Sequence, residues 1–194
     1  EGAQVGDLIF VDQNGDGIIN FNDNSDKKML GSPLPKFTIG ALFGCNFKGF
    51  DLSANLYAAL GQKIIRNYER QQPYANQLDY VLGRWTVDNP SNDIPAYSIA
   101  SNRNGVFSDF FVEDGSFLRV RNIQFGYTLP KEFSQKFRTN YMRFYISVNN
   151  LHTFTKYMGY DPDIGGSSGA LSGGVDYGFY PQARTIMGGI NIKF

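Results

Sequence analysis

Apolar residues occupy every second position in five separate stretches of this chain. From Phe37 the run FTIGALFGCNF sets Phe37, Ile39, Ala41, Phe43, Cys45 and Phe47 on one side, with Thr38, Gly40, Leu42, Gly44 and Asn46 on the other. After a short turn the alternation resumes, with Phe50, Leu52, Ala54, Leu56, Ala58 and Leu60 opposite Asp51, Ser53, Asn55, Tyr57 and Ala59. A period of two is the mark of a β-strand whose two faces meet different surroundings. Each run is about 11 residues long, the length a tilted strand needs to cross a bilayer, against about 5 to 6 in soluble sheets.

Three further runs follow. In 117–129, Ile123, Phe125, Tyr127 and Leu129 share a face, but Leu118 and Val120 fall on the opposite parity, which predicts a bulge near Arg121 and Asn122. The run 141–149 puts Met142, Phe144, Ile146 and Val148 together, and 185–194 does the same for Ile186, Gly188, Ile190, Ile192 and Phe194. The connections differ in length: a tight turn at 48–49 and a moderate link at 130–140, against long loops at 61–116 and 152–184. Short turns on one rim and long loops on the other are the asymmetry of outer-membrane barrels.

The expected fold is therefore all-β: an antiparallel, up-and-down transmembrane β-barrel segment with long extracellular loops. Residues 1–36 form an extracellular loop and 37–194 carry the strands. If the last strand descends toward the periplasm, 1–36, 61–116 and 152–184 all lie on the extracellular rim. Five strands cannot close, since the smallest such barrels have about eight, so the sheet is either open and soluble or part of a larger barrel.

Composition narrows the functions. Eighteen basic side chains balance 18 acidic ones, with no basic run to attract nucleic acid. A single cysteine, Cys45, excludes an internal disulfide, and a single histidine, His152, removes Ser-His-Asp and multi-histidine metal sets within this chain. Asp161, Asp163 and Asp176 have no nucleophile or histidine beside them in sequence, so the chain is not expected to be an enzyme. No apolar stretch is long enough for a membrane helix, which leaves strands free to span one.

One loop has metal-ligand spacing. In VDQNGDGIINFND, Asp12, Asn14 and Asp16 fall at positions 1, 3 and 5 of a calcium loop, Gly17 at 6, the Ile18 carbonyl at 7, Asn20 at 9 and Asp23 at 12. Calcium is one reading. The other is a set of Asx turns that needs no metal, because no helices flank the loop.

The blocks GDLIFVDQNGDGIIN, LGSPLPKFTIG, KGFDLSANLYAALG, FVEDGSFLRVRNIQFGYTLP, NNLHTFTKYMGYDPD and YPQARTIMGGINIKF, in this order, resemble the C-terminal portion of the SusC/RagA family of TonB-dependent outer-membrane transporters of Bacteroidetes. The resemblance covers nearly the whole chain. It implies a barrel of about 22 strands, a plug domain upstream through which TonB acts, and a SusD-like lipoprotein as lid. It also implies nutrient oligomers as substrates, oligosaccharides or peptides.

Within that frame Trp85, Tyr157, Tyr160 and Tyr177 are candidate substrate-binding residues, in loops that also carry Tyr68, Tyr74, Tyr80, Tyr97 and Tyr180. The same rings also suit packing within a long loop. Phe194, with Ile190 and Ile192 on its face, resembles the signal read by the barrel-assembly machinery. Arg119 and Arg121 are expected to pair with a lumen carboxylate such as Asp51 or to snorkel at the rim. Outer-membrane lipid would meet Phe37, Ile39, Phe43, Leu52, Leu56, Phe125, Phe144, Ile146, Ile190 and Ile192. The alternative is a soluble, secreted all-β carbohydrate-binding module with a calcium loop.

Overall fold

The computed structural model describes residues 3–69, 76–97, 103–165 and 173–194; Tyr74 lies outside them. The chain forms two compact units. One holds residues 1–31 and 66–112, the other 32–65 and 113–194. The strands belong to the second, which is described first.

Five strands form one antiparallel sheet: β1 (Phe37–Phe47), β2 (Phe50–Leu60), β5 (Phe117–Thr128), β6 (Tyr141–Thr155) and β8 (Thr185–Lys193), in the order β1-β2-β5-β6-β8. Every neighbour in the sheet is the next long strand in the chain, as an up-and-down wall requires. β1 and β2 meet through Lys48 and Gly49 alone, with Phe47 opposite Phe50. Both turn residues have positive φ, 47° and 89°, the backbone that a two-residue type I′ hairpin demands and that glycine adopts at no steric cost.

The register carries the apolar side across all five strands. Leu52 lies opposite Cys45 and Phe125, Phe125 opposite Ile146, and Phe144 opposite Ile190. Phe43 is 60%, Phe144 41% and Ile190 57% exposed, and Leu56 is half-buried. No second layer of this unit covers the face. A soluble sandwich would have buried these side chains against a second sheet; the soluble alternative finds no support here.

The expected bulge is present at Arg121. Asn55 pairs with Asn122 and Leu56 with Val120, leaving Arg121 as the extra residue. On the other side Asn122 faces Asn149 and Val120 faces His152, so Asn150 and Leu151 are extra in β6, with Asn150 at φ 51°. Both strands then resume in phase, which returns Leu118 and Val120 to the apolar side. β6 therefore continues to Thr155, six residues beyond the predicted run, and His152 stands within the strand, its ring T-shaped to that of Phe154 with centroids 4.4 Å apart.

The long connections are not entirely loop. β3 (Lys63–Arg66), β4 (Val112–Asp114) and β7 (Val175–Asp176) make a small sheet in the order β4-β3-β7. The 130–140 link holds a short helix, α1 (Lys131–Lys136). The buried apolar residues of this unit, Ala58, Ala59, Ile64, Phe117 and Tyr157, belong to the strand ends and segments on the long-connection side.

On the polar side the carboxylate of Asp51 meets Arg143, while Arg119 pairs with Asp161 and Asp163. Arg143 Nε donates to Asp51 Oδ1 at 2.8 Å and Nη2 to Oδ2 at 2.5 Å, a bidentate pair spanning β5 from β2 to β6. The pair passes over Gly126, where a Cβ would stand 2.5 Å from both Asp51 Oδ1 and Arg143 Nη2. Gly126→Ala in the full-length protein is expected to break the bridge and cost about 1–3 kcal/mol. A lowered urea unfolding midpoint in lipid checks this, and an unchanged midpoint would mean the bridge is slack.

Candidate functional site

At the long-connection end, the polar side of the sheet carries a charged cluster built around Arg119. Its position opposite Tyr57 and Thr153 aims the side chain off the polar face. The guanidinium is 2% exposed and fully engaged: Nε donates to Thr153 Oγ1 at 2.9 Å, Nη1 to Asp163 Oδ2 at 3.2 Å, and Nη2 to Asp161 Oδ1. Asp161 also accepts the backbone N–H groups of Asp163 at 2.9 Å and Gln182 at 3.2 Å. Two sides of the last connection thus converge on one carboxylate that a strand arginine holds.

Arg121 projects beside it because the bulge adds a residue there. Its guanidinium lies 3.8 Å from the Tyr57 ring centroid and 4.0 Å from Asp163. Asp163 is thus shared between two arginines, which makes the cluster near neutral and structural in character. Asp176 is a second anchor: it is buried and accepts from the Tyr157 hydroxyl at 2.6 Å and from Gly178 N–H at 2.8 Å and Phe179 N–H at 3.1 Å. None of the three aspartates has a nucleophile or histidine among its described partners.

These contacts separate the candidate aromatics. Tyr157 is buried, and its ring packs where a side chain on Gly159 would stand. Tyr160 is 75% exposed and Tyr177 54%. Phe194 follows β8 and is 88% exposed.

Trp85 belongs to the other unit and is half-buried there. A Cβ on Gly6 would meet its ring at 2.5 Å, and the positive φ of Gly6, 95°, fits the close approach. Around it Ala96 N–H donates to the Gly6 carbonyl at 2.7 Å, Leu8 N–H to Asn104 Oδ1 at 2.8 Å, and Asn104 Nδ2 to Asp7 Oδ1 at 3.0 Å. Trp85 therefore helps hold the N-terminal segment to 84–97 and 103–106. In the same unit Arg66, nearly buried, sits under Tyr80, Phe110 and Phe111 with its guanidinium 5.0 to 5.9 Å from their centroids. Burial, then the Glu69 carboxylate that accepts its hydroxyl, pushes the Tyr80 phenol above its ordinary range. An open hollow of about 400 Å³ lies among Leu78, Asp79, Val81, Leu82 and Arg84.

The 12–23 loop has the oxygen chemistry of a calcium site, but its oxygens face the chain itself. Asp12 accepts from Gly15 and Gly17 N–H at 2.6 and 2.7 Å, Asp16 from Ile18 N–H at 2.8 Å, and Asn20 from Asn22 N–H at 3.0 Å. Asn14 Nδ2 donates to Asp16 at 2.9 Å, Asn20 Nδ2 to Asp23 at 2.6 Å, and Ser25 to Asp23. Among the described residues no three His, Cys, Asp or Glu side chains converge on a point that an ion would occupy. As it stands the loop is a ladder of Asx turns.

Backbone amides, that of Gly17 first, hold the Asp12 carboxyl below its usual 3.8. The Ser25 hydroxyl, then its amide, does the same for Asp23. A carboxyl depressed in the folded state contributes stability above its unfolded value and loses it as pH falls through the folded one. Hydrogen exchange at Gly15 and Gly17 is thus expected to accelerate, relative to the rest of the chain, as pH drops below 3.8. At neutral pH, exchange unchanged by a calcium chelator supports the Asx turns alone, and calcium-dependent protection supports the metal reading. For the Arg119 cluster, Arg119→Met leaves Asp161 without its cation and is expected to cost about 3–5 kcal/mol. Limited proteolysis of the full-length protein, with new cleavage in 156–184, reports it.

No protein-family profile matches the chain. It is 34% identical to "TonB-dependent receptor P3" of Formosa agariphila across 99% of its own length and 19% of that protein's. It is 29% identical to "TonB-dependent receptor SusC" of Bacteroides thetaiotaomicron across 96% of its length and 17% of that protein's. Among solved structures, the RagAB peptide importer in its open-open state superposes with a TM-score of 0.71 at 26% identity, over 90% of this chain and 19% of that one. The closed-closed state gives the same TM-score at 27% identity. The chain thus spans about a fifth of the length of the relatives it matches. The alternating wall, its exposed apolar face and these likenesses agree: the chain belongs to the SusC/RagA family of TonB-dependent outer-membrane transporters, as part of the β-barrel.

Proposed function

We propose that the protein containing this chain imports nutrient oligomers, oligosaccharides or peptides, across the outer membrane with energy from TonB, and works with a SusD-like lipoprotein as lid. The observation that carries the reading is the two-sided wall: an apolar face with no second layer of its own unit among the described residues and a polar face whose arginines tie down the loops of one rim. That is the build of a barrel wall between hydrocarbon and an aqueous lumen. The relatives named for SusC and the RagAB peptide importer support the same reading.

In this reading the chain has structural roles and no chemistry of its own. Tyr160 and Tyr177 present exposed rings for stacking on sugar or peptide groups, while Trp85 and Tyr157 hold their loops in place. The test uses the full-length receptor in cells. Co-purification with a lipoprotein and TonB-dependent uptake of an oligosaccharide or peptide are expected, and TonB-independent uptake would overturn the reading. Y160A/Y177A should weaken uptake by roughly twofold to tenfold for each stacking ring removed.

A further inference from the structure

The chain has no net charge, yet its charges are unevenly placed along the strands. The short-turn end comprises 47–51, 126–143 and 191–194. It carries six basic side chains, Lys48, Lys131, Lys136, Arg138, Arg143 and Lys193, against two acidic ones, Asp51 and Glu132. Arg143 and Asp51 neutralise each other. The side-chain excess at this end is therefore four positive charges, and an equal negative excess lies elsewhere in the chain.

Three of these lysines are paired with aromatic rings. The ammonium of Lys48 lies 5.2 Å from the Phe47 centroid, that of Lys136 5.0 Å from Phe133, and that of Lys193 5.8 Å from Tyr141. The first two rings come from the β1–β2 turn and from α1, whereas Tyr141 and Lys193 share the polar side of the sheet with Arg143. Phe47 is 69% exposed and Phe137 63%. Phe133 and Phe137 stand one helical turn apart, while Ser134 turns inward. The link carrying them is fixed to the sheet, with Leu129 N–H on the Met142 carbonyl at 2.9 Å and Asn140 N–H on the Lys193 carbonyl at 2.8 Å.

An exposed ring with an ammonium above it suits one kind of boundary, where hydrocarbon gives way to phosphate. The apolar face runs into this rim without interruption, from Phe125 through Tyr127 and Phe50 to Phe47. The rim with short turns faces the periplasmic leaflet. We propose that this lysine-aromatic rim is a binding surface for anionic phospholipid of that leaflet, with Phe133 of α1 and Phe137 at its end seated among the acyl ends and Lys48 and Lys136 on headgroup phosphates. The surface selects by charge and locks the height of the wall in the bilayer.

The full-length receptor is placed in nanodiscs of phosphatidylcholine with or without phosphatidylglycerol. F137W supplies a reporter. Its emission should be shifted to the blue and quenched by brominated phospholipid, more strongly when the brominated lipid is phosphatidylglycerol. K48Q/K136Q should abolish that preference, and K48R/K136R should retain it, with heat-resistant migration in detergent gels showing that each barrel is folded. Water-like emission quenched by acrylamide would overturn the proposal. So would a preference unchanged in the glutamine variant, or an emission shift that appears only on adding a periplasmic protein.

Discussion

A single sheet with hydrocarbon-like residues on one side and hydrogen-bonding residues on the other is stable only where two solvents meet. The strict alternation of β1, β2, β5, β6 and β8 imposes that condition, because the pleat leaves no freedom to move a residue from one side to the other without shifting a whole strand. Backbone groups add a second demand. In a medium without water every amide and carbonyl must be paired between strands, and the antiparallel ladder pairs the inner strands β2, β5 and β6 on both sides. The loops, the charge clusters and the short helix are arranged on a surface that this constraint has already fixed.

The polar face shows how loops are secured without a core. Among the described residues of the sheet's unit few apolar side chains are buried, and those lie toward the long-connection end. Much of the work passes to carboxylates: Asp161 gathers two backbone segments under Arg119, and Asp176 closes its own turn and ties it to the Tyr157 hydroxyl. Such an anchor is directional and strong when complete, and it fails sharply if one member is lost, since the remaining charge stays desolvated.

Most of the wall could be read from letters alone, because the pattern and the physics share one period. The ends of β1 and β2 fall where alternation begins and stops, and the bulge announces itself by the parity of Leu118 and Val120. The extension of β6 was hidden by its own extra residues: Asn149, Asn150 and Leu151 break the alternation that Val148 began. β3, β4 and β7 are too short for any period to emerge. α1 left a faint signal, a proline before Lys131 with Glu132 early and Lys136 late, that composition of the link obscured. Ion pairs were least legible. Asp51 finds Arg143, 92 residues away, only because of register, and the same tyrosine letter stands for a buried hydroxyl at 157 and an exposed ring at 160. The acidic loop showed the opposite difficulty, since one spacing serves both Asx turns and an ion and the choice lies in where the oxygens point.

The irregularity at Arg121 has a further meaning for how such a wall changes over evolutionary time. Omit Arg121 from one strand, and Asn150 with Leu151 from its neighbour, and the sides of every remaining residue would still agree. The level at which they sit is therefore a seam: residues can be gained or lost there without inverting the strand above. It also lets the upper part of the wall lean at its own angle, since bulged pairs twist and bend more than regular ones. Mouth shape and membrane fit can thus be altered independently, though one pair of strands carries both.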